Sequence, residues 1–366
     1  PLSFSVLDSE RDDAGASFRQ ALRGRLAARA NRFVWGGRVA WGDEASDEFA
    51  PAGGGQRGAL TEVSETDALA AELYAENQWH LTRRIALVAG LQLAYARREI
   101  DTLVGDGLDA QADYIGSNPK LGLIWQAAPA FQVFGNVSRS FEPPTLVEFG
   151  DATTGVLEEQ TATTVEIGAR GGRERLRWEM AAYHSRLDDE ILTVELPPLP
   201  SNNFATANAD DTRHSGIELG LDARVPLAWP AGDLRLRTNY TYSRFVFNND
   251  PAFADNDIPG VPQHFGRLEL LYEHPSGVYI GPNLAASGSY FVDFTNTLET
   301  EVYTIYGLRA GYANERGFSV FVEARNLEDE AYASNTSLTA DAMGMDTAVF
   351  NPGLERSVYA GVDIGW

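Results

Sequence analysis

The side chains best equipped for chemistry are few and scattered. The chain has five histidines, His80, His184, His214, His264 and His274, and none sits at a metal-ligand spacing from another. His80 and His274 lie beside short turn-like segments, where an interfacial role is the ordinary reading. Cysteine is absent, which excludes disulfides and thiolate metal sites. The sequence has no nucleophile elbow, no phosphate-cradling glycine loop and no His-Glu-x-x-His helix motif. His184 and His214 have no serine at a readable spacing for a Ser/His pair. These residues therefore predict no enzyme, no resident metal and no cofactor.

Binding is the remaining chemistry, and three groups of residues are candidates for it. Arg139 and Glu142 precede Pro143-Pro144 at the start of a long polar stretch. Read functionally, they form a gate or a ligand-contacting loop. Read structurally, the two prolines end strand pairing and stiffen the loop, and this reading carries more weight. Asn208, Arg213 and Glu218 project either toward a ligand in a lumen or into ordinary wall hydrogen bonds, the second being favoured. Met343, Met345 and Phe350 lie in the last long connection, as apolar ligand contacts or, by the weightier reading, as that loop's own small core.

The elements that would position these residues are strands. Val358, Ala360, Val362, Ile364 and Trp366 alternate with Ser357, Tyr359, Gly361, Asp363 and Gly365 to the end of the sequence. A side-chain period of two gives one oily and one polar face. Leu234, Leu236, Thr238, Tyr240 and Tyr242 alternate likewise with Arg235, Arg237, Asn239 and Thr241. Phe318–Arg325 and Ile85–Ala96 repeat the pattern. Two arginines facing inward from one strand are costly in a dry core, but cost little in a wet or plugged lumen. Apolar outside and polar inside marks a membrane barrel. The fold class expected is all-β, an antiparallel up-and-down transmembrane barrel.

Strands are expected near 32–48, 66–80, 82–99, 113–127, 129–140, 158–171, 173–190, 212–226, 233–246, 262–274, 277–291, 302–313, 317–327 and 354–366, with 1–16 as loop. Segment 17–30 stays open. Its leucines at i, i+4 and i+8 with Ala, Arg and Gln suit a helix, while its neighbours favour a lumen-lining strand. Connections alternate between short, as at 274–277, and long, as at 327–352, as periplasmic turns and extracellular loops do. Tyr and Trp near strand ends, such as Trp41, Trp79, Trp125 and Trp178, read as interfacial girdle residues.

At 366 residues the chain is long enough for one many-stranded barrel. No apolar run reaches the roughly 18–20 residues of a spanning helix. No leader is visible, so an exported protein is expected to have its leader removed or outside this sequence. The net charge of −23 argues against nucleic acid as a partner. Much of it falls in Asp43-Glu44, Asp47-Glu48, Glu158-Glu159 and Asp210-Asp211, which read as solvated connections.

Two stretches resemble the mid-barrel signature of TonB-dependent outer-membrane receptors: Gly135–Thr145 with Glu148, and Asn208–Gly220. Asn326-Leu327-Glu328-Asp329-Glu330-Ala331-Tyr332, then Pro352-Gly353 and the strand to Trp366, resembles that family's close. With Gln160–Gly168 between them, the resemblance spans about 32–366. It implies the last 14–15 strands of a 22-stranded barrel, with the N-terminal plug domain and TonB box not in this chain. It also implies uptake of a scarce ligand, usually a ferric siderophore, driven by TonB, with outer-membrane lipid, lipopolysaccharide and the barrel-assembly machinery as partners. Tyr359, Val362, Ile364 and Trp366 would form the C-terminal assembly signal. The competing expectation is a plugless structural or pore-forming barrel without active transport.

Overall fold

The computed structural model describes residues 5–52, 56–107, 109–152, 156–196, 204–346 and 349–365. Fifteen strands form one antiparallel sheet: β1 (Val6–Leu26), β2 (Arg29–Pro51), β3 (Arg57–His80), β4 (Ile85–Val104), β5 (Ala110–Ala128), β6 (Phe131–Glu142), β7 (Gln160–Arg173), β8 (Leu176–Glu195), β9 (Phe204–Leu227), β10 (Gly232–Phe247), β11 (His264–Glu273), β12 (Val278–Ser287), β13 (Tyr303–Ala313), β14 (Phe318–Arg325) and, after a long connection, β17 (Ser357–Ile364). Each strand pairs with the next in sequence, and β14 pairs with β17. Among the described residues no pairing joins β1 to β17. A five-residue helix α1 (Leu146–Gly150) and a small ribbon of β15 (Ala333–Thr336) and β16 (Phe350–Pro352) sit in long connections.

The predicted polarity is what the register produces. One rung links Phe18, Gly37, Leu73 and Leu93 across β1–β4, all on the outward face. Outward residues such as Leu73, Leu93, Ile115 and Ile167 are more than half exposed, Ile115 to 77%. A row of large apolar side chains left uncovered along so many strands is a surface for lipid. Trp79, Trp125 and Trp178 lie at strand ends beside short turns, and the Trp79 indole Nε1 donates to the Leu26 carbonyl at 3.1 Å. From Trp79 to Trp41 the outward face of β2–β3 stays mostly apolar. Beyond it Asp43 and Asp67 face each other.

Short and long connections alternate strictly, and β17 runs toward the short-turn end, where Ile364 pairs with Phe318. Several of the short turns use residues with positive φ, which suit the twist of the flanking strands. At the turn between β11 and β12, Gly277 has φ 96, and a Cβ there would meet the Ala313 carbonyl oxygen at 2.1 Å. Any other residue would break this turn.

Three sequence expectations change. The stretch 1–16 is expected to be loop, but β1 begins at Val6 and pairs with β2 from Val6↔Phe49. Its outer half carries polar residues on both faces because both are beyond the apolar band. It therefore shows no hydrophobic alternation. Segment 17–30 is neither a helix nor a single strand. It ends β1, turns through Ala27 and Ala28 (φ 48 and 62) and begins β2. The connections between the expected strands 32–48 and 66–80, and between 173–190 and 212–226, are shorter than expected, since β2, β3, β8 and β9 run 20 to 24 residues. Crossing the bilayer takes about 9–11, so these hairpins continue well beyond it.

Candidate functional site

The inward face of β8–β14 carries a ladder of charges. Asp222 on β9 accepts from Arg235 through both Nε, at 3.0 Å, and Nη2, at 2.6 Å, a fork of two charge-assisted bonds. Arg177 and Arg237 lie 3.5 and 3.9 Å from the same carboxylate. Glu273 takes Arg224 at 3.0 Å, and Glu269 takes Arg237 at 3.3 Å. Further along, Arg309 stacks between Tyr279 and Phe321, and Arg325 lies over Tyr359 at 4.7 Å. These strands leave a cavity of about 540 Å³ lined by Arg237, Arg267, Glu269, Arg309, Glu323 and Arg325. Such a surface is hydrophilic and offers fixed donors to an anionic or multiply oxygenated guest.

At the long-loop end a second layer closes in. Phe247, at the end of β10, packs with Ile258 and Phe294 from the two following loops. Leu192, Val194, Phe253 and Leu338 complete this core. Asp293, wholly buried, accepts from the hydroxyls of Thr295 and Thr297, both at 2.6 Å. The amides of Thr297, Leu298 and Ala342 donate to it as well. Burial opposes the charge, but these donors outweigh it and hold the carboxyl below the usual carboxylate range. One side chain thus ties loop 288–302 to loop 326–356. Beside them lies an acidic cavity of about 700 Å³, lined by Glu299, Glu301, Glu330 and Phe350, which shares Tyr303 and Tyr332 with the basic cavity of the wall.

The sequence candidates fall on different faces. Glu218 faces the lumen opposite Thr241. Glu142 ends β6 and accepts from Gln160 Nε2 at 3.3 Å. Phe350 lines the acidic cavity. Asn208 donates to the carbonyls of Asp189 and Glu158, while its Oδ1 takes the Glu158 amide, so it stitches β8 and β9 to the approach of β7. Arg139 and Arg213 share the outward face of Val137 and Ile217, away from the lumen, and Arg213 pairs with Asp255 at 3.3 Å. Met343 and Met345 are exposed, so neither forms a loop core. Tyr359 faces inward, Val362 and Ile364 face outward, and Trp366 is outside the described residues.

The proline segment turns out to be a scaffold. Pro144 is buried and its carbonyl accepts from Arg98 Nε at 2.9 Å. Thr145 and Glu148 then form a reciprocal capping box on α1, which buries Phe149.

Two groupings escape a reading of the sequence. Asn326 is almost fully buried, donates to the carbonyls of Glu330 and Leu354 and accepts the Glu330 amide. It fixes the exit of β14 against the start of β17, which is the work of the closing motif. His184 Nδ1 and Ser215 Oγ lie 2.8 Å apart across β8 and β9. Among the described residues no carboxylate lies within ion-pair distance of His184, and the pair faces outward between Val165 and Arg244.

The sequence profile described as "TonB dependent receptor-like, beta-barrel" matches residues 4–327. The metal-pseudopaline receptor CntO of Pseudomonas aeruginosa is 25% identical over 280 residues, covering 73% of this chain and 38% of that protein. The vitamin B12 transporter BtuB of Photobacterium profundum is 22% identical over 245 residues, covering 64% and 36%. The chain thus spans well under half the length of the curated relatives it matches. Among solved structures, the unliganded ferric citrate transporter FecA superposes with a TM-score of 0.81 at 16% identity, over 100% of this chain and 56% of that one. The copper transporter OprC superposes at 0.78 and 15% identity, over 98% and 57%. At these identities the structures speak for the fold.

Proposed function

This chain belongs to the TonB-dependent receptor β-barrel family and hence to the outer membrane, and on that premise we propose that it forms the wall of a receptor importing a scarce, bulky nutrient. A ferric siderophore or another metal chelate is the cargo this reading favours, with energy supplied through TonB and no catalytic step. The observation that carries it is the inverted polarity: apolar side chains face outward, and an arginine–carboxylate ladder lines a cavity beneath a loop core. Chelates of metal ions are decorated with oxygen anions, which guanidinium forks bind well. The ligand-facing residues in this reading are Glu142, Glu218 and Phe350 with the arginines of the wall. CntO, FecA and OprC are receptors or transporters for metal-bearing cargo by their names, which supports the class. Outer-leaflet glycolipid is the lateral partner, and the alternating terminal strand around Tyr359, Val362 and Ile364 is what barrel-assembly machinery would read.

The test is growth under metal starvation of cells lacking the gene, with and without the intact gene restored. Radiolabelled ferric citrate, a ferric catecholate, a nickel or zinc amino-carboxylate chelate and cobalamin are offered singly. Accumulation of one of them only in complemented cells supports the proposal. Equal accumulation of all four, together with leakage of small sugars, would mean a passive pore instead.

A further inference from the structure

Two cavities of opposite charge meet at a pair of tyrosines. The wall cavity is lined by four guanidiniums, Arg237, Arg267, Arg309 and Arg325, against two carboxylates, Glu269 and Glu323. Glu269 is taken by Arg237 at 3.3 Å and Glu323 by Arg325 at 2.6 Å. Among the described residues no carboxylate lies within ion-pair distance of Arg267 or Arg309. The Nε of Arg309 and the Oγ of Ser357, which lines the same cavity, are buried without a hydrogen-bond partner. Buried polar atoms are nearly always paired, so two orphans on one cavity wall point to a polar guest.

The neighbouring cavity carries Glu299, Glu301, Asp329, Glu330, Asp346 and Glu355, and no Lys, Arg or His lines it. Among the described residues none of these carboxylates is in an ion pair. A cleft lined by one sign of charge concentrates ions of the other sign. Tyr303, which opens β13, and Tyr332, which follows the closing motif, line both cavities with ring centroids 4.8 Å apart.

We infer that the two cavities form one dipolar cleft selecting a zwitterionic metal chelate, with carboxylates at one end and a free ammonium arm at the other. The carboxylates meet Arg267 and Arg309 in the wall. The ammonium meets Glu299, Glu301 and Glu330 among the connections, and the body of the chelate lies along Tyr303 and Tyr332. Guanidinium and carboxylate form charge-assisted bonds with groups of the opposite sign, and an aromatic face also attracts a cation. An all-anionic chelate satisfies only the wall half and is repelled by the acidic half, so the cleft selects against it as well as for the zwitterion. The inference rests on the uptake reading for its choice of a chelate, and goes beyond it by fixing the cargo's charge pattern.

The experiment titrates the intact receptor, purified in detergent at neutral pH, by isothermal calorimetry. The probe is the cobalt(III) complex of an EDTA-type hexadentate chelator with an aminobutyl arm, compared with the same complex N-acetylated on that arm. The metal is inert and fully coordinated, so the two probes differ in one charge. The ammonium form should bind roughly 10-fold more tightly, as expected for one charge-assisted contact. Glu299→Gln/Glu301→Gln should abolish that preference, and Glu299→Asp/Glu301→Asp should keep most of it. Arg267→Gln/Arg309→Gln should weaken both probes alike. Heat-modifiable gel mobility reports whether each variant is a folded barrel. Equal or weaker binding of the ammonium form, no binding of it at all, or a folded glutamine variant of the glutamates with its preference intact would overturn the cleft. Cellular accumulation decides the uptake reading separately: a receptor that prefers the ammonium form but accumulates no chelate keeps the cleft and loses uptake, and one that accumulates chelates without preference does the reverse.

Discussion

At the scale of single residues, two carboxylates do unequal work. Asp222 neutralises Arg235 directly and lies near Arg177 and Arg237. Asp222→Ala leaves three guanidiniums on one patch of wall. Because the site is partly hydrated, the expected loss is about 1–3 kcal/mol, less than for a fully buried pair. The urea midpoint of the purified receptor measures it, and an unchanged midpoint would mean that lumen water already screens the cluster. Asp293 is the opposite case, since its donors come from residues 295, 297, 298 and 342. Its depressed pKa contributes stability that is fully present above the ordinary carboxylate value of about 4 and is lost as pH falls through the lower folded value. Hydrogen exchange at the Leu298 and Ala342 amides should therefore be flat from about pH 8 to 5, after correction for intrinsic rates, and accelerate only in stronger acid. Asp293→Ala should expose both amides at neutral pH, at a local cost of about 1–3 kcal/mol for the orphaned donors. Neither role could be read from the sequence: Asp293 lies 49 positions from the Ala342 amide it accepts, and no periodicity signals such a contact.

At the scale of elements, the strand is the unit the sequence declares. Leu234–Tyr242 and Ser357–Ile364 announce both their faces, and the structure places those faces as the alternation says. Reading fails where alternation stops carrying information. The outer half of β1 stands in water on both sides, so polar residues there look like loop, and the outer halves of β8 and β9 are covered by the loop core, so their burial no longer follows the two-residue alternation. Parity also had more to give. Arg139 stands two residues beyond outward Val137, and Arg213 four before outward Ile217, so their orientation was legible although their nearness to loops suggested the lumen. The two faces predict opposite tolerance. Ile217→Arg, on the lipid side of β9, should cost about 2–4 kcal/mol if it lies near the bilayer midplane and less toward an interface, while Asn239→Arg, on the lumen side of β10, should be nearly neutral. Refolding yield and urea midpoint in detergent or lipid check both. Equal penalties would contradict the assigned faces.

At the scale of the whole molecule, fold and family agree. Fifteen paired strands, alternating turn lengths and outward apolar side chains fit the family profile over residues 4–327 and the FecA barrel along the entire chain. Class and orientation were legible because they depend on two-residue periodicity and on connection length. The cargo was not, because cavity lining is assembled from connections that converge only in space: the acidic cavity joins residues 298–303, 329–333, Asp346 and 350–355. The outer layer built on Phe247, Ile258 and Phe294 and fastened by Asp293 joins the long connections over this part of the wall. The claim at stake is that the wall serves energised import. The measurement that tests it most directly is accumulation of the matching labelled metal chelate by cells expressing the intact receptor, with TonB present and with TonB deleted. Accumulation that collapses to background without TonB, while surface binding persists, is the predicted result. Uptake of equal rate in both strains would contradict it.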